Sequence, residues 1–522
     1  MRTLPLLFIL LPIISSLNVL MYVNVIGKSH LQFAHEVIHL LNERGHKVDV
    51  IMGMLNSLVT LKGDYGARKM VPVHFPGESP WGASADHLNN PFEDNTPWNP
   101  LTRTFVKFIE TTELLCDLIL DSSLVSDLLT SNSYDVALMA GYDFCPFALA
   151  YLHKISPVLS YVPTPAVPIQ TYYGGLPDLP LYENIMLDAK MLDRASFLNR
   201  LYDTVRIFKE RYIHYNAYNS MNDKLRARFG VDFPDVREIV RNTSMDFSNS
   251  HPLLDEPKPM SQRLRYIGGV GLPTPKPLTK EFNDILSLPK KGNVLFSFGT
   301  QIEADKITED LQRIFITTFK RFPEYNFLWK FDGETAVNAS NVFNLKWLPQ
   351  TDLLYDSRVV GFISHMGLNS FTETSFAGVP VVSIPLFADQ IHNSLRALSL
   401  GTGVIVKKTE ITVESLTSAL EKILYDESYL NRSKEIASMI SALPDTPQRI
   451  LIEGIEFAAQ FKNLPIHYRL AGADYNFLVQ IGWDVAAFLT LLSLLLLYLT
   501  LKLSIVILRN IPVKLIAKNK LE

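Results

Sequence analysis

The sequence predicts an α/β protein with two parallel-sheet domains, and the same alternation of elements in both halves carries the prediction. Near the N-terminus, "LNVLMYVNVIGKSHLQFAHEVIHLLNERGHKVDVIM" is an apolar strand, a polar turn, an amphipathic helix and a second apolar strand. After the Pro- and Gly-rich "GVGLPTPKPLTKEFNDILSLPKKG" the alternation restarts with "NVLFSFGT", "YNFLWKFDG", "VVGFISHMG" and "PVVSIPLFADQ". In doubly wound sheets ligands lie at the carboxyl ends of the strands, so the turns after these strands are the candidate site.

Length and composition set the scale of the molecule and exclude some functions. The 522 residues, 47% of them hydrophobic, can bury more than one core and divide into at least two domains. A net charge of −4 provides no basic field of the kind that nucleic acid binds, so we expect no nucleic-acid partner. The two cysteines, Cys116 and Cys145, can neither build a disulfide-dense scaffold nor form a zinc site by their spacing. Folding is therefore expected to rest on ordinary cores.

Both ends of the chain carry targeting signals. Arg2, the apolar run from Leu4 to Ile14 and two serines have the order of a secretory signal peptide, with cleavage expected near Ser16. Near the other end, "VAAFLTLLSLLLLYLTLKLSIVIL" holds one charge and is long enough to span about 30 Å of hydrocarbon. A short basic tail follows, and the positive-inside rule places it in the cytoplasm. The sequence thus predicts a single-pass type I membrane protein with a lumenal or extracellular body.

These signals and the linker divide the chain into segments. The predicted segments are a signal peptide (1–16), an N-terminal domain (17–265), a linker (266–291), a C-terminal domain (292–465), a juxtamembrane segment (466–484), a transmembrane helix (485–508) and a cytoplasmic tail (509–522). The final "KNKLE" resembles the dilysine signal that retrieves membrane proteins to the endoplasmic reticulum, although such a pattern in a basic tail also arises by chance. Sequons at Asn242, Asn338 and Asn431 fit a lumenal glycoprotein.

The stretch "FISHMGLNSFTETSFAGVP" is the first candidate for a ligand site. His365 ends a strand and a helix begins just after it, so free backbone amides and the positive end of the helix dipole favour an anion there. Asn369 and Glu373 share one helical face, and a carboxylate one turn beyond a diphosphate suits the hydroxyls of a ribose. No Lys or Arg occurs between Arg358 and Arg396, so charge neutralisation is expected from His365, the dipole and the amides. The alternative is a solvated helix face beside a core histidine.

Neighbouring strand ends favour the ligand site over that alternative. Upstream, "KWLPQTDLL" contains Trp347 and Gln350, and downstream "PLFADQIHN" contains Asp389 and Gln390. An indole offers a face on which a base stacks, and a carboxylate beside a carboxamide offers acceptors and a donor for sugar hydroxyls. Together these groups predict a nucleotide-sugar as the ligand.

The run from Trp347 to Gln390 resembles the donor-binding signature of the membrane-bound UDP-glucuronosyl- and UDP-glucosyltransferases. The similarity extends to "GKSHLQF", "LFSFGT" and a C-terminal span after "IGWDV". It implies the GT-B fold, with an acceptor-binding N-terminal domain facing a UDP-sugar-binding C-terminal domain across a cleft. It also implies inverting transfer to a hydroxyl of a small lipophilic acceptor, without metal or other cofactor. Carried over by position, Trp347 and Gln350 face the uracil, Glu373 the ribose, Ser297, His365 and Asn369 the diphosphate, and Asp389 and Gln390 the transferred sugar.

Two absent motifs agree with this resemblance. The chain has no Asp-x-Asp pair, the manganese-binding mark of the other glycosyltransferase fold, and no GxGxxG, which disfavours an NAD or FAD site. We therefore expect the UDP-sugar to be a co-substrate, with no bound metal.

The reaction needs a base in the first domain, and His30 in "GKSHLQF" is the candidate. Histidine is matched to taking a hydroxyl proton near neutral pH, and His30 follows the first strand at its carboxyl end. Its position alone favours a helix-capping residue over a catalytic one. The resemblance implies the catalytic role, because the family places its catalytic histidine in this turn.

The partner of that base is where the sequence departs from the family pattern. Relatives place an Asp or Glu after the "YDV" strand to orient the histidine, and the matching position here is Ala140. Asp143 follows in the same turn and is the candidate replacement. The alternatives are a base that works unassisted and an impaired enzyme. Two functions therefore stand open: a lumenal UDP-sugar transferase of the endoplasmic reticulum, and a protein of the same fold that binds UDP-sugar or a lipophile without turnover.

The sequence leaves the two substrates unresolved. Glucuronate-using relatives carry Arg between two prolines where "EPKPM" has Lys258, which keeps the charge but lacks the bidentate fork that suits a carboxylate. Glucuronic acid and glucose are therefore equal candidates for the transferred sugar. The acceptor and any homo-oligomeric state are not specified by a motif.

Overall fold

The fold was analysed in a computed structural model. It describes residues 16–57, 59–81, 91–92, 100–167, 169–176, 196–288, 291–299, 302, 304–333 and 339–510. Most of the predicted signal peptide, the end of the predicted tail and the sequon at Asn338 lie outside these ranges.

The first sheet has seven parallel strands in the order β3-β2-β1-β4-β5-β6-β7. The central strands are apolar and buried along nearly their whole length, as expected where helices cover both faces of a parallel sheet. The strands are β1 (Asn18–Asn24), β2 (Lys47–Gly53), β3 (Lys69–Val73), β4 (Val136–Ala140), β5 (Val158–Val162), β6 (Met245–Ser248) and β7 (Leu264–Tyr266).

The second sheet has six parallel strands in the order β10-β9-β8-β11-β12-β13. Its core is rich in aromatic residues, with Phe296 stacked on Trp329 at a ring distance of 4.9 Å. The strands are β8 (Gly292–Ser297), β9 (Tyr325–Lys330), β10 (Val342–Leu345), β11 (Val359–Ser364), β12 (Val381–Ser383) and β13 (Gly403–Ile405).

Helices cover the faces of both sheets. In the first half they are Lys28–Glu43, Pro100–Asp121, Ser123–Thr130, Cys145–Leu152, Phe197–Phe229 and Val236–Arg241. In the second half they are Lys280–Leu286, Glu309–Phe319, Gln350–Leu354, Leu368–Ala377, Gln390–Leu400, Val413–Tyr425, Glu427–Ser441, Pro447–Gln460, Leu464–Tyr468, Phe477–Gln480 and Trp483–Asn510. Two doubly wound parallel-sheet domains are thus present, as the sequence predicts.

The helix Pro447–Gln460 does not belong to the domain in which the sequence analysis placed it. Leu451 and Ile455 on this helix are fully buried in the core of the first domain, and Glu456 pairs with Arg44 and His46 of that domain. The C-terminal part of the predicted 292–465 domain therefore crosses back to the first domain. An amphipathic helix shows which face is buried, but its sequence does not show which sheet it covers.

The two cysteines form a disulfide. Cys116 lies in the helix Pro100–Asp121, and Cys145 is the first residue of the helix after β4. The bond ties that helix to the turn in which Asp143 and its neighbours lie.

One helix in the described part of the chain is long and apolar enough to cross a membrane. It is Trp483–Asn510, with 28 residues, and it includes the whole predicted span 485–508. None of its side chains is buried against the rest of the protein. At 1.5 Å per residue its length exceeds the roughly 30 Å of a bilayer core, as a membrane anchor requires.

Candidate functional site

The turn after β11 forms the anion-binding end of the predicted donor site. Met366 has a positive φ of 61°, a conformation that side chains rarely adopt and that occurs often at functional turns. Gly367 precedes the helix Leu368–Ala377 without any side chain capping the helix N-terminus. Asn369 is exposed on the first turn of this helix. The dipole and the first amides of the helix favour an anion here, and the Leu368 amide already interacts with the carboxylate of Asp389.

Glu373 and Gln350, predicted to contact the ribose and the base, lie against each other. Gln350 Nε2 donates to Glu373 Oε2, and Thr351 Oγ1 donates to Glu373 Oε1 at 2.9 Å. Glu373 is 9% exposed, and its burial raises the pKa of the carboxyl against the opposing effect of these two hydrogen bonds. The carboxylate is thus held in one orientation by the segment that also carries Trp347.

The indole of Trp347 is open to the cleft and has a cation beside it. Trp347 is 66% exposed, and the Lys330 ammonium lies 5.0 Å from the centre of its ring. Lys330 Nζ also donates to the Gly299 carbonyl at 2.8 Å. Gly299 lies directly against the His365 imidazole, where an added Cβ would come within 2.7 Å of the ring. Ser297 Oγ accepts from the Gly299 amide, so the β8 turn, β9 and the β11 turn meet at one point.

Lys330 changes the predicted charge balance of the site. Burial lowers the pKa of His365 to about 4, so its imidazole is uncharged at neutral pH in the absence of a bound anion, and the positive charge beside it comes from Lys330. Lys330 ends β9, outside the interval between Arg358 and Arg396 in which a cation was sought. Burial, and secondarily repulsion from Lys28, lowers the pKa of Lys330. Its position at a strand end was the signal that could have identified it.

Asp389 and Gln390 begin the helix Gln390–Leu400 at the next strand end. Gln390 Oε1 accepts from the amides of Leu386 and Phe387, so its side-chain oxygen fixes the turn. Asp389 Oδ2 accepts from Asn393 Nδ2 at 2.9 Å, and burial raises the pKa of the Asp389 carboxyl. All eight predicted donor residues lie on strand ends, the turns after them or the first two turns of the following helices, at the carboxyl edge of the second sheet: Ser297, Trp347, Gln350, His365, Asn369, Glu373, Asp389 and Gln390.

His30 lies in the first turn of the helix Lys28–Glu43, at the carboxyl end of β1. Its Nε2 is 3.3 Å from the Tyr142 hydroxyl, and its Nδ1 is buried with no hydrogen-bond partner among the described residues. Burial lowers the pKa of His30 to about 4, so the ring is the neutral, basic form near pH 7. Tyr142 follows β4 and was not identified from the sequence, where an aromatic residue in a turn resembles ordinary core.

The predicted pairing of Asp143 with His30 is wrong for this structure. Asp143 Oδ2 accepts from Asn24 Nδ2 at 3.0 Å, and Oδ1 accepts from the Cys145 amide at 2.8 Å, at the start of the next helix. The carboxylate is thus used to cap a helix N-terminus. Burial raises the pKa of Asp143 to about 6 in spite of these two bonds. Ala140, at the family's carboxylate position, is the buried last residue of β4.

The two halves of the site face each other across the interdomain cleft. Burial raises the pKa of Tyr142 in the first domain, the hydrogen bond with Thr164 opposes this, and the carboxylate of Asp389, in the second domain, adds a smaller upward shift. The domains also touch where the Phe376 ring lies 5.5 Å from the ring of His251 and against Gly269. His30 and Asp389, the predicted base and the predicted sugar contact, therefore lie on either side of Tyr142 in one cleft.

Such a site, between two parallel-sheet domains, defines a GT-B glycosyltransferase, and solved structures share the architecture. The calicheamicin glycosyltransferase CalG4 has a TM-score of 0.54 at 17% identity, over 84% of this chain and 97% of that one. The spinosyn forosaminyltransferase SpnP has a TM-score of 0.55 at 15% identity, over 85% and 100%. These likenesses concern the fold alone.

The family follows from the sequence match. The family described as "UDP-glucoronosyl and UDP-glucosyl transferase" matches residues 19–518, and this chain belongs to it. Among curated relatives, human UDP-glucuronosyltransferase 1A1 is 26% identical over 506 residues, 95% of this chain and 92% of the relative. UDP-glucosyltransferase 2 of Dactylopius coccus is 25% identical over 471 residues, 89% and 88%. The chain is therefore an enzyme of the UDP-glycosyltransferase class, which transfers sugar from a UDP-sugar.

No group of three or more His, Cys, Asp or Glu side chains within the described ranges could hold a metal ion. The residues at the predicted diphosphate position are instead helix amides, an uncharged histidine and Lys330. These groups suit an anionic diphosphate bound directly by the protein.

Proposed function

We propose that this enzyme transfers glucose or glucuronic acid from the UDP-sugar to a hydroxyl of a small lipophilic acceptor, with inversion and without a metal. The observation that carries the proposal is the arrangement across the cleft. A half-buried neutral histidine faces one side, and the half-buried carboxylate of Asp389 faces the other. A base and a sugar-holding group on opposite sides fit attack by an acceptor from the first domain on a sugar held by the second.

In this mechanism each domain has its own task. The helix start after His365 and the ammonium of Lys330 hold the diphosphate, and they stabilise the charge that develops on UDP as it leaves. His30 takes the proton of the acceptor hydroxyl as that oxygen attacks the anomeric carbon. A direct displacement of this kind inverts the anomeric centre.

The experiment that tests the proposal is identification of the product. Purified full-length protein is given a UDP-α-sugar and a panel of phenols and aliphatic alcohols. The proton coupling constant at the anomeric position of any glycoside is then measured. A β-linked product is expected, formed equally in the presence of a chelator. An α-linked product, or dependence on added metal, would contradict the inverting, metal-independent mechanism.

A small space behind the residues that neighbour His30, lined by apolar and polar side chains in equal number, is the candidate for the acceptor. It lies between the helices Pro100–Asp121 and Phe197–Phe229, behind Tyr142 and Asp143. Its other lining residues are Ile109, Thr112, Glu113, Phe144, Ile169, His214, Ala217 and Met221. The cavity measures about 20 Å³, which is room for about one water molecule. An acceptor that enters this space therefore has to move the helices Pro100–Asp121 and Phe197–Phe229 apart. Apolar surface on the acceptor would replace the contacts that these helices make here.

The donor sugar depends on the surroundings of Lys258. Its ammonium lies 3.3 Å from Asp255 Oδ2, so part of its charge is neutralised within the protein. This pairing leaves Lys258 a weak partner for a glucuronate carboxylate, and we keep glucose and glucuronic acid as equal candidates.

Lys258→Arg is expected to raise the preference for UDP-glucuronate over UDP-glucose about fivefold, because a guanidinium binds a carboxylate through two parallel hydrogen bonds. The ratio of kcat/KM for the two donors measures it, with Lys276→Arg on the surface as the matched control. An unchanged ratio, or a wild-type preference above tenfold for glucuronate, would show that Lys258 does not limit the choice.

We place the protein in the endoplasmic reticulum with its catalytic domains in the lumen. The disulfide and the exposed sequons Asn242 and Asn431 support an oxidising, glycosylating compartment. The apolar helix Trp483–Asn510 supports an anchor at the C-terminal end.

Protease added to intact microsomes is expected to remove no more than the short tail after Arg509, because the membrane shields a lumenal body. Immunoblots of the body and of a C-terminal tag measure it, with detergent-permeabilised microsomes as the control. Lys518→Ser with Lys520→Ser should let the protein reach the cell surface. Digestion of the body in sealed microsomes would contradict the lumenal topology.

A second candidate function is binding of UDP-sugar without efficient turnover. The observation that favours it is Ala140, since neither this residue nor Asp143 supplies a carboxylate to His30. The two candidates differ in one result: both bind UDP, but the transferase alone forms a glycoside.

A further inference from the structure

The helix Phe197–Phe229 exposes a row of large apolar side chains along about its first five turns. Each side chain of the row is between 49% and 71% exposed. With about 100° between successive residues, the whole row falls within about 100° of the helix surface. This apolar row consists of Phe197, Leu198, Leu201, Val205, Tyr212 and Tyr215. Soluble proteins rarely expose a contiguous apolar surface of this size, and such surfaces mark contacts with membranes or other proteins.

The apolar row does not continue along the rest of the helix. Further on, the same side of the helix carries Asn216, Ser220 and Asp223, which are polar and exposed. Val205 and Asp223 are about five turns apart, so they point the same way. Leu225, which is buried in the core of the first domain, lies on nearly the opposite side of the helix. Packing of the helix on its own domain therefore does not require the apolar row.

The helix is joined to the segment that leads into the membrane anchor. The Tyr173 hydroxyl donates to the His214 carbonyl at 3.3 Å, beside the last residues of the apolar row. Two residues further along, Gly175 lies against Ala473, where an added Cβ would come within 2.6 Å of the Ala473 backbone nitrogen. Two residues of chain span at most about 7 Å. One short stretch of chain therefore holds the middle of the helix close to the segment around Ala473.

The segment around Ala473 lies close to the start of the anchor. Gln480 Nε2 donates to the Gly472 carbonyl at 2.6 Å and to the Tyr475 carbonyl at 3.1 Å, which folds this segment back on itself. The anchor Trp483–Asn510 begins three residues after Gln480. A helix that spans the bilayer has its first residues at the bilayer surface, so the C-terminal end of the apolar row lies near that surface.

We propose that the apolar row rests on the bilayer, beside the point at which the anchor enters it. Leu and Phe side chains suit the boundary between headgroups and acyl chains, and the hydroxyls of Tyr212 and Tyr215 suit the headgroup layer. A second copy of the chain would also cover an apolar surface, but the contacts through Tyr173 and Gly175 place this one beside the membrane. Two elements thus hold the body on the bilayer, the anchor and the apolar row.

The same helix borders the space assigned to the acceptor, a consequence that rests on the proposed function. Its inner side carries His214, Ala217 and Met221, which line the small space behind Tyr142 and Asp143. The helix therefore lies between that space and the bilayer, in which a lipophilic acceptor dissolves. Entry of the acceptor from the bilayer needs movement of this helix.

Fluorescence of a single labelled cysteine tests the contact in full-length protein held in phosphatidylcholine nanodiscs. The two native cysteines form the disulfide Cys116–Cys145, so an introduced cysteine is the only free thiol. Val205→Cys carries an environment-sensitive fluorophore, and Asp223→Cys, on the same side of the helix, is the matched control. A nitroxide on the lipid acyl chains should quench most of the fluorescence at Val205→Cys and little at Asp223→Cys, because the apolar side of an interfacial helix lies about 5–10 Å into the bilayer.

Leu201→Cys is a second labelled position, and it also reports on the rest of the row. Adding Tyr212→Glu should lower the lipid quenching at Leu201→Cys, because a carboxylate is unfavourable in the bilayer. Asn216→Glu, which lies beyond the row, is the control and should leave that quenching unchanged.

Equal lipid quenching at Val205→Cys and Asp223→Cys, in protein that thermal unfolding shows to be folded, would overturn the inference. A label at Val205→Cys that is protected from iodide in water but not quenched by the lipid nitroxide would also overturn it, since protein, such as a second copy of the chain, would then cover the row. None of these measurements requires turnover. A wild type that forms no glycoside would therefore fail the proposed function and leave the membrane contact standing.

Discussion

His30→Ala is expected to lower kcat about 10²–10⁴-fold, the usual loss when a general base is removed. The affinity for UDP should stay unchanged, because the donor residues lie on the second sheet while His30 follows the first strand of the other. Turnover at saturating substrates and calorimetry with UDP measure the two quantities. The matched control is His39→Ala, an exposed histidine on the same helix, which should retain both.

The pH dependence of the wild type adds a check on the same residue. The neutral imidazole is the base, and burial lowers the pKa of His30 to about 4. Its active form therefore persists at pH values where an exposed histidine is already protonated, so the acid limb of kcat/KM that depends on His30 should lie well below pH 6.5. Equal turnover by wild type and His30→Ala would show that His30 is not the base. An acid limb of kcat/KM near the usual histidine pKa of about 6.5 would show that the base is not a histidine in this buried environment.

Glu373→Ala is expected to weaken UDP binding by about 1–3 kcal/mol, or about 5- to 150-fold, the scale of losing hydrogen bonds to a charged group. The carboxylate is oriented by Gln350 and Thr351, so the ribose meets a group that is already in place. Calorimetry with UDP measures the loss.

Binding of uridine, which has the ribose but no diphosphate, tests the ribose contact separately from the diphosphate contacts. Glu373→Ala should weaken uridine and UDP by the same factor, whereas Glu309→Ala, an exposed residue of the same domain, should weaken neither. Because Glu373 is buried, thermal unfolding has to show that the variant is folded at the temperature of the titration. A folded variant with wild-type affinity for UDP would show that Glu373 does not contact the ribose.

The sequence was sufficient for the architecture and for the location of the predicted donor residues in the fold, because both depend on local pattern. Continuous apolar strands alternating with helices specify parallel sheets, and parallel strands place their following turns at one edge. For that reason Trp347, His365, Glu373 and Asp389, far apart in the chain, could be assigned to one edge of the second sheet.

Features that depend on contacts across the fold were not accessible in this way. Nothing in the pattern of Pro447–Gln460 distinguishes a helix that covers its own sheet from one that returns to the first domain. Lys330 lies at a strand end but precedes the interval in which a cation was sought. Asp143 is close to Ala140 in sequence, yet the start of the next helix turns its carboxylate toward Cys145. Tyr142, between them, is the residue that reaches His30.

The central claim is that this chain transfers sugar from UDP-sugar with His30 as the base, and acceptor-dependent release of UDP tests it most directly. Full-length protein in detergent is incubated with UDP-glucose or UDP-glucuronate and a mixture of phenolic acceptors, and free UDP is measured over time. Release is expected to need both the acceptor and His30, with His30→Ala at about the background rate. Wild-type protein that binds UDP but releases none above the His30→Ala level, with either donor, would contradict the claim.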